Sequence, residues 1–154
     1  MWQNILRKKQ LFPALLIGFL SLNLTSCALI TQSSVEAQYT VKQLSETYHP
    51  RNYTKLENLN ASADYIKQQL EQYTDRVSEQ SFKVYGNDYR NIIARFGPSE
   101  GELIVIGAHY DSCCQTRGAD DNASGVAGLI ELARLLKETP PSSPVELVAY
   151  SLEE

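Results

Sequence analysis

LIVIGAHYDSCCQTRGADDNASGVAGLIELARLL, residues 103–136, is the stretch of this 154-residue chain that decides the fold. It begins with a continuous apolar run at 103–108, which is typical of a strand covered on both faces. After a polar loop, apolar side chains recur at helical spacing until prolines at 140 and 141 end the pattern. These side chains are Val126, Leu129, Ile130, Ala133 and Leu136. VELVAYSL, residues 145–152, then returns to a strand, so strand, helix and strand predict parallel pairing in an α/β fold.

The residues before this segment add further helices and strands. A helix is expected over 35–48 and ends at His49-Pro50. A second helix has an apolar stripe at Leu59, Ala63, Ile66, Leu70 and Tyr73. Alternation around residues 82–84 and the run YRNIIARF, residues 89–96, predict two strands that are joined by a turn at Gly86-Asn87. We expect the strand at 103–108 to lie at the centre of the sheet.

The N-terminus is typical of an export signal rather than of the fold. Three cations at residues 7–9 precede an apolar run that is interrupted and too short to span a membrane comfortably. The run ends in LTSC, residues 24–27, which resembles a bacterial lipobox and makes Cys27 the expected lipid anchor. We therefore predict a lipoprotein signal peptide at 1–26, a tether at 27–34 and a folded part at 35–154. An ordinary cleaved signal with an incidental cysteine is the alternative.

Charge argues against a nucleic-acid partner. The predicted signal holds three cations and no acids, so 11 Lys and Arg face 18 Asp and Glu in the remaining chain, a net charge of −7. Nucleic-acid binding relies on cationic side chains that contact phosphates.

Cys113 and Cys114 are the remaining cysteines once Cys27 is assigned to the lipid. They cannot build a disulfide framework, although a strained vicinal disulfide is possible under oxidising conditions. Zinc ligation by thiolates usually needs a wider spacing and more thiols. We interpret the pair as a feature of the loop without a catalytic role.

One histidine and several acids follow the two parallel strands. His109 and Asp111 come after the first strand, Glu153 and Glu154 after the second, and aspartates at 120 and 121 lie in the loop between them. Each feature is common alone, as a hydrogen-bonded histidine, a turn with a helix cap, or solvated glutamates. Ligands bind at the carboxyl ends of parallel strands, so these side chains are expected at one edge of the sheet. Because imidazole and carboxylates are zinc ligands, the sequence predicts a zinc site there.

The spacing of these residues suggests their roles. Residues two apart in an extended segment face the same way, so Asp111 can accept a hydrogen bond from the ring nitrogen of His109 that is not on a metal. One aspartate can bridge two cations roughly 3.5–4 Å apart. Of two adjacent glutamates, one can bind metal while the other takes the proton of a metal-bound water.

Three stretches resemble successive signatures of the zinc aminopeptidases of the bacterial leucyl aminopeptidase and aminopeptidase S type, namely GAHYDS, GADDNASG and AYSLEE. The resemblance extends to HPRN and YRNIIAR. The resemblance implies that His109 is a zinc ligand and that Asp111 orients it. It makes Asp121 the bridging aspartate, Glu153 the general base and Glu154 a ligand. It also implies a non-proline cis peptide bond between Asp121 and the next residue.

The same resemblance implies a three-layer αβα sandwich with a mixed, largely parallel central sheet, which we expect to be truncated here after the second parallel strand. It implies two zincs per complete site and hydrolysis of N-terminal residues from peptide substrates. The family has two more ligands, an aspartate and a histidine, in positions beyond Glu154, so we expect the site to be incomplete in these residues. The alternatives are a one-zinc glutaminyl-peptide cyclotransferase of the same fold and a catalytically inactive lipoprotein or remnant. The expected location is a membrane lipoprotein that faces the periplasm or the exterior.

Overall fold

The computed structural model describes residues 33–154. The predicted signal peptide, the lipid anchor at Cys27 and nearly all of the tether lie outside the described residues. None of the helices within 33–154 is long and apolar enough to cross a membrane.

Four strands form one mixed sheet. They are β1 (Val77–Val84), β2 (Asn87–Phe96), β3 (Ile104–His109) and β4 (Val145–Tyr150), in the spatial order β1-β2-β4-β3. β1 and β2 form an antiparallel hairpin, and β2 is antiparallel to β4. β3 and β4 pair in parallel, with His109 opposite Tyr150. The predicted strand, helix and parallel strand are therefore confirmed, as is the mixed α/β sheet with flanking helices, although β3 and β4 are the one parallel pair among the described strands.

Three helical segments accompany the sheet. The first, α1, covers 33–42 and continues into a π-helical turn at Gln43–Thr47. α2 (Leu56–Glu71) and α3 (Ser124–Glu138) contact each other, and both pack on β2. The predicted stripes lie on the buried faces of these helices, with Leu59, Ile66 and Val126 almost fully removed from solvent. Tyr73, which was expected in the stripe of α2, lies beyond the end of that helix at Glu71. Burial of each such side chain stabilises the fold by about 1.5–3 kcal/mol.

Two details of the sheet differ from the prediction. The register pairs Val84 with Asn87, so the hairpin turn consists of Tyr85 and Gly86, both with positive φ, and is one residue earlier than expected. β3 was expected at the centre of the sheet and covered on both faces, but it is the last strand in the order of the described residues. Ile104 and Val105 of β3 are half exposed. A continuous apolar run predicts contacts on two faces, but it does not specify which strands provide them.

Candidate metal centre

The candidate site lies at the carboxyl ends of β3 and β4. His109 is the last residue of β3, and Ser151 to Glu154 follow directly after β4. The ladder continues beyond β3, because the Tyr110 amide donates to the Tyr150 carbonyl at 2.8 Å. The parallel pairing therefore brings two acidic segments 40 residues apart in sequence to the same edge, as the sequence predicted.

Three predicted ligands converge at this edge. His109, Asp121 and Glu154 each offer one ligand atom, and these atoms all lie within 4.8 Å of one another. His109 Nε2 is 2.9 Å from Asp121 Oδ1 and 3.9 Å from Glu153 Oε2. The His109 side chain is only 11% exposed, whereas that of Asp121 is 73% exposed. The histidine is thus fixed by its surroundings, and the carboxylates face solvent.

Asp111 contacts more residues of the site than the sequence predicted. Its Oδ1 lies 3.4 Å from Nδ1 of His109, so the carboxylate is beside the ring, although Nδ1 has no hydrogen-bond partner among the described residues. The same carboxylate accepts the backbone N–H groups of Glu153 at 3.4 Å and Glu154 at 3.1 Å. Asp111 is 1% exposed. It therefore connects the histidine on β3 to both glutamates after β4.

The loop before α3 places Asp121 with an irregular backbone. Gly118 adopts the left-handed conformation with φ of 53°, and the peptide bond from Asp121 to Asn122 is cis, as the resemblance implied. The Asn122 side chain accepts the amide of Gly125 at 3.0 Å in the first turn of the helix. Asp120 is exposed, and its carbonyl accepts the Ser124 hydroxyl at 2.8 Å. Of the two adjacent aspartates, Asp121 is the one beside His109.

Two residues that support the site were not assigned a role from the sequence. Arg51 is fully buried, and its guanidinium donates to backbone carbonyls on both sides of the site loop. Asn52 is also buried, and its side-chain amide donates to the carbonyl of Cys114. Both belong to the HPRN motif, in which the bond from His49 to Pro50 is cis. The motif was the available signal, but it carried no chemical role of its own.

The adjacent cysteines form an exposed pair at the outer part of the same loop. Their sulfur atoms are 3.0 Å apart, and Cys114 has a positive φ of 53°. A hydrogen bond with Cys114 raises the pKa of the Cys113 thiol to about 11, and the Glu154 carboxylate acts in the same direction. The Cys113 thiol is therefore protonated at neutral pH, which agrees with a loop feature rather than a thiolate ligand.

The residues present fit zinc. One imidazole nitrogen and two carboxylates form a donor set that zinc accepts. The other ring nitrogen, Nδ1 of His109, is buried, and the carboxylate of Asp111 is the charged group beside it. A proton on Nδ1 would face that carboxylate, and Nε2, which lies 2.9 Å from Asp121 Oδ1, would then be the nitrogen that binds a cation.

Comparisons with known proteins point to a peptidase family. Residues 91–154, which include all five candidate residues, match the model of Peptidase family M28. Over 130 residues the chain is 48% identical to the "Uncharacterized protein YfbL" of Escherichia coli K12, a match that covers 79% of the chain and 40% of that protein. It is 38% identical over 80 residues to the probable lipoprotein aminopeptidase LpqL of Mycobacterium tuberculosis, covering 51% of the chain and 15% of that protein. The chain thus spans two fifths or less of the length of these relatives.

Solved structures resemble the fold at similar coverage. A leucine aminopeptidase precursor from Bacteroides thetaiotaomicron superposes with a TM-score of 0.66 at 28% identity, over 77% of this chain and 47% of that one. A glutaminyl cyclase from the same species, bound to N-acetylhistamine, gives a TM-score of 0.66 at 26% identity, over 77% and 46%. The resemblance to the zinc aminopeptidase family is confirmed, whereas the leucyl aminopeptidase and aminopeptidase S type stays a prediction.

Proposed function

We propose that this chain carries part of the catalytic centre of a zinc-dependent exopeptidase that removes N-terminal residues from peptides, on the premise that residues 91–154 are its M28 peptidase segment. The observation that carries the proposal is the convergence of His109, Asp121 and Glu154 within 4.8 Å, with Glu153 beside them. Zinc bound by such ligands acts as a Lewis acid and lowers the pKa of bound water to about 7. Two ions are proposed for the complete site, with Asp121 shared between them.

The protein residues then have separable duties. His109, Asp121 and Glu154 hold the metal, and Asp111 fixes both the ring of His109 and the backbone of the glutamates. Glu153 is exposed, and its carboxylate oxygen lies 3.9 Å from His109 Nε2. It is therefore free to take a proton from the attacking water and to give it to the leaving amine.

The test of the Glu153 role is the substitution Glu153→Gln, with Glu100→Gln as the matched control on an exposed turn. In a protein that contains the complete site, turnover of an aminoacyl anilide should fall by about 10²–10⁴-fold, because general base catalysis is typically worth that factor. Zinc content should stay unchanged, since Glu153 is not a proposed ligand. Full activity of Glu153→Gln would reject the base, and loss of zinc would make Glu153 a ligand instead.

The second candidate is a glutaminyl cyclase, which the structural likeness to the Bacteroides thetaiotaomicron cyclase favours. A peptide with N-terminal glutamine separates the two activities. An exopeptidase releases the free amino acid and a shortened peptide, whereas a cyclase releases ammonia and leaves the peptide length unchanged. Mass spectrometry of the products distinguishes these outcomes directly.

We propose further that the protein is exported and anchored by lipid at Cys27. The lipobox-like LTSC and the likeness to a probable lipoprotein aminopeptidase support this location. The intact mass of protein extracted from membranes should correspond to a chain that begins at a diacylated Cys27. A chain that begins elsewhere, or that carries no lipid, would contradict the anchor.

A further inference from the structure

Arg51 is a buried cation that is held by backbone atoms. It is 0% exposed, and no ion pair within residues 33–154 involves it. Nε donates to the carbonyl of Tyr110 at 2.7 Å, and Nη1 donates to those of Leu44 at 3.0 Å and Arg117 at 2.6 Å. Nη2 donates to the carbonyl of Gly118 at 2.5 Å. Four of the five N–H groups of the guanidinium are thereby used on the main chain.

Three of the four carbonyl groups that Arg51 binds belong to the two metal-binding segments. Tyr110 directly follows His109, whereas Arg117 and Gly118 lie four and three residues before Asp121. The contact is reciprocal, because the amide of Ser112 donates to the Arg51 carbonyl at 3.2 Å. A single rigid, planar group therefore fixes the start and the end of the loop that separates His109 from Asp121.

The electrostatic setting agrees with a function beyond packing. Burial lowers the pKa of the Arg51 guanidinium to about 10, while the charges of Asp111 and Asp121 act in the opposite direction. A buried cation without a paired carboxylate is unfavourable for folding alone. The positive charge of Arg51 is instead attracted by the carboxylates of Asp111 and Asp121, which lie in the two segments that it holds.

We propose that Arg51 is a positioning residue that sets the separation of His109 and Asp121 and so determines the affinity of the site for zinc. This inference rests on the proposed function, because it assumes that the two side chains bind metal. Arg51 does not touch the metal or the substrate. It acts through the backbone carbonyls on either side of the loop.

The test compares zinc affinity in purified Arg51→Met, Arg51→Lys and Arg117→Met with that of the unaltered protein, by competition with a chromophoric chelator. Arg51→Met keeps the length of the side chain and removes its donors, so zinc binding should weaken by about 10–100-fold, the range typical for a residue that supports ligands. Arg51→Lys keeps the charge with fewer, differently placed donors and should give an intermediate loss. Arg117→Met is the matched control, since that side chain is 68% exposed and only its carbonyl binds Arg51.

Rescue distinguishes positioning from general loss of stability. In Arg51→Ala, guanidinium ion at millimolar concentration should restore part of the zinc affinity, while urea at the same concentration should not. Affinities are referred to the folded fraction measured by circular dichroism, so that partial unfolding does not count as weaker binding. Arg51→Lys serves as the deciding variant if Arg51→Met does not fold.

The outcomes separate this inference from the proposed function. If the unaltered protein binds no zinc, the proposed function is rejected, and this inference is rejected with it. If it binds zinc and folded Arg51→Lys binds it with equal affinity, Arg51 is only a structural residue and the inference is overturned.

Discussion

Segments 51–52 and 109–111 both support the candidate metal centre, but they hold it with opposite charges. In the second segment, Asp111 is buried and accepts amide N–H groups from Glu153 and Glu154. In the first, Arg51 is buried and donates to carbonyl groups on both sides of the loop that leads to Asp121. The anion connects β3 to the residues after β4, and the cation connects β3 to the loop before α3.

The difference between the segments shows how an exposed acidic site can be rigid. The carboxylates of Asp121 and Glu153 are largely solvent-accessible and have few contacts of their own. Their backbones are fixed instead by buried polar groups. Leaving one such group without its partner lowers the free energy of unfolding by about 1–3 kcal/mol. The free energy of unfolding should therefore depend more on Arg51 and Asp111 than on the exposed carboxylates.

The largest effect is expected from Asp111→Asn, which removes one charge and keeps the shape. An amide can accept through one oxygen only, so it cannot serve His109 and both glutamate amides together. We expect zinc affinity to fall by about 10–100-fold and the free energy of unfolding to fall by about 1–3 kcal/mol. Chelator competition and urea titration measure the two quantities.

Asp120→Asn is the matched control for that change. Asp120 is exposed, and its backbone carbonyl, not its carboxylate, makes the contact to Ser124. Its substitution should change the free energy of unfolding by less than about 0.5 kcal/mol, as is usual for surface sites. Equal losses in the two variants would mean that general negative charge, rather than the contacts of Asp111, sets the affinity.

The two segments also differ in how far the sequence could predict them. His109 and Asp111 carry recognisable metal chemistry, and their spacing in an extended segment implied the contact between them. The partners of Arg51 are backbone carbonyls up to 67 residues away, and a carbonyl group has no side-chain identity that a pattern can use. The extra role of Asp111 was missed for the same reason, because it binds the amides of Glu153 and Glu154 rather than their carboxylates.

The fold was predictable where periodicity decides it. Both helix stripes and the parallel pairing of β3 with β4 follow from the spacing of apolar residues. The place of β3 in the sheet was wrong for the described residues, because strand order depends on long-range pairing that a single apolar run does not specify. The turn at Tyr85 differed because a glycine can occupy either central position of a two-residue hairpin turn.

A smaller effect is expected where Arg51 meets the loop, at Gly118. A Cβ atom there would lie 2.4 Å from the Asp121 carbonyl oxygen and 2.7 Å from Nη2 of Arg51, and the positive φ disfavours any side chain. Gly118→Ala should lower the free energy of unfolding by about 1–2 kcal/mol for the left-handed backbone alone, and zinc binding should weaken.

Gly128→Ala is the control in the middle of α3, where a Cβ meets nothing within 4 Å. It should stabilise the protein by about 0.5–1 kcal/mol. A loss of stability there as large as that at Gly118 would contradict a special role of the contact between Arg51 and the loop.

The smallest effect at neutral pH is expected for Tyr110, which lies between His109 and Asp111. Its hydroxyl donates to the Arg90 carbonyl at 2.7 Å, and burial raises the pKa of the phenol to about 12. The native state therefore favours the protonated phenol, so this contribution to stability is complete below pH 10 and is lost as the pH rises towards 12. Tyr110→Phe should lower the free energy of unfolding by about 0.5–1.5 kcal/mol at pH 7 and should flatten its decline above pH 10. If urea titrations show the same alkaline decline in both proteins, the buried phenol of Tyr110 does not cause the decline, and its contact with Arg90 adds nothing to the stability of segment 109–111.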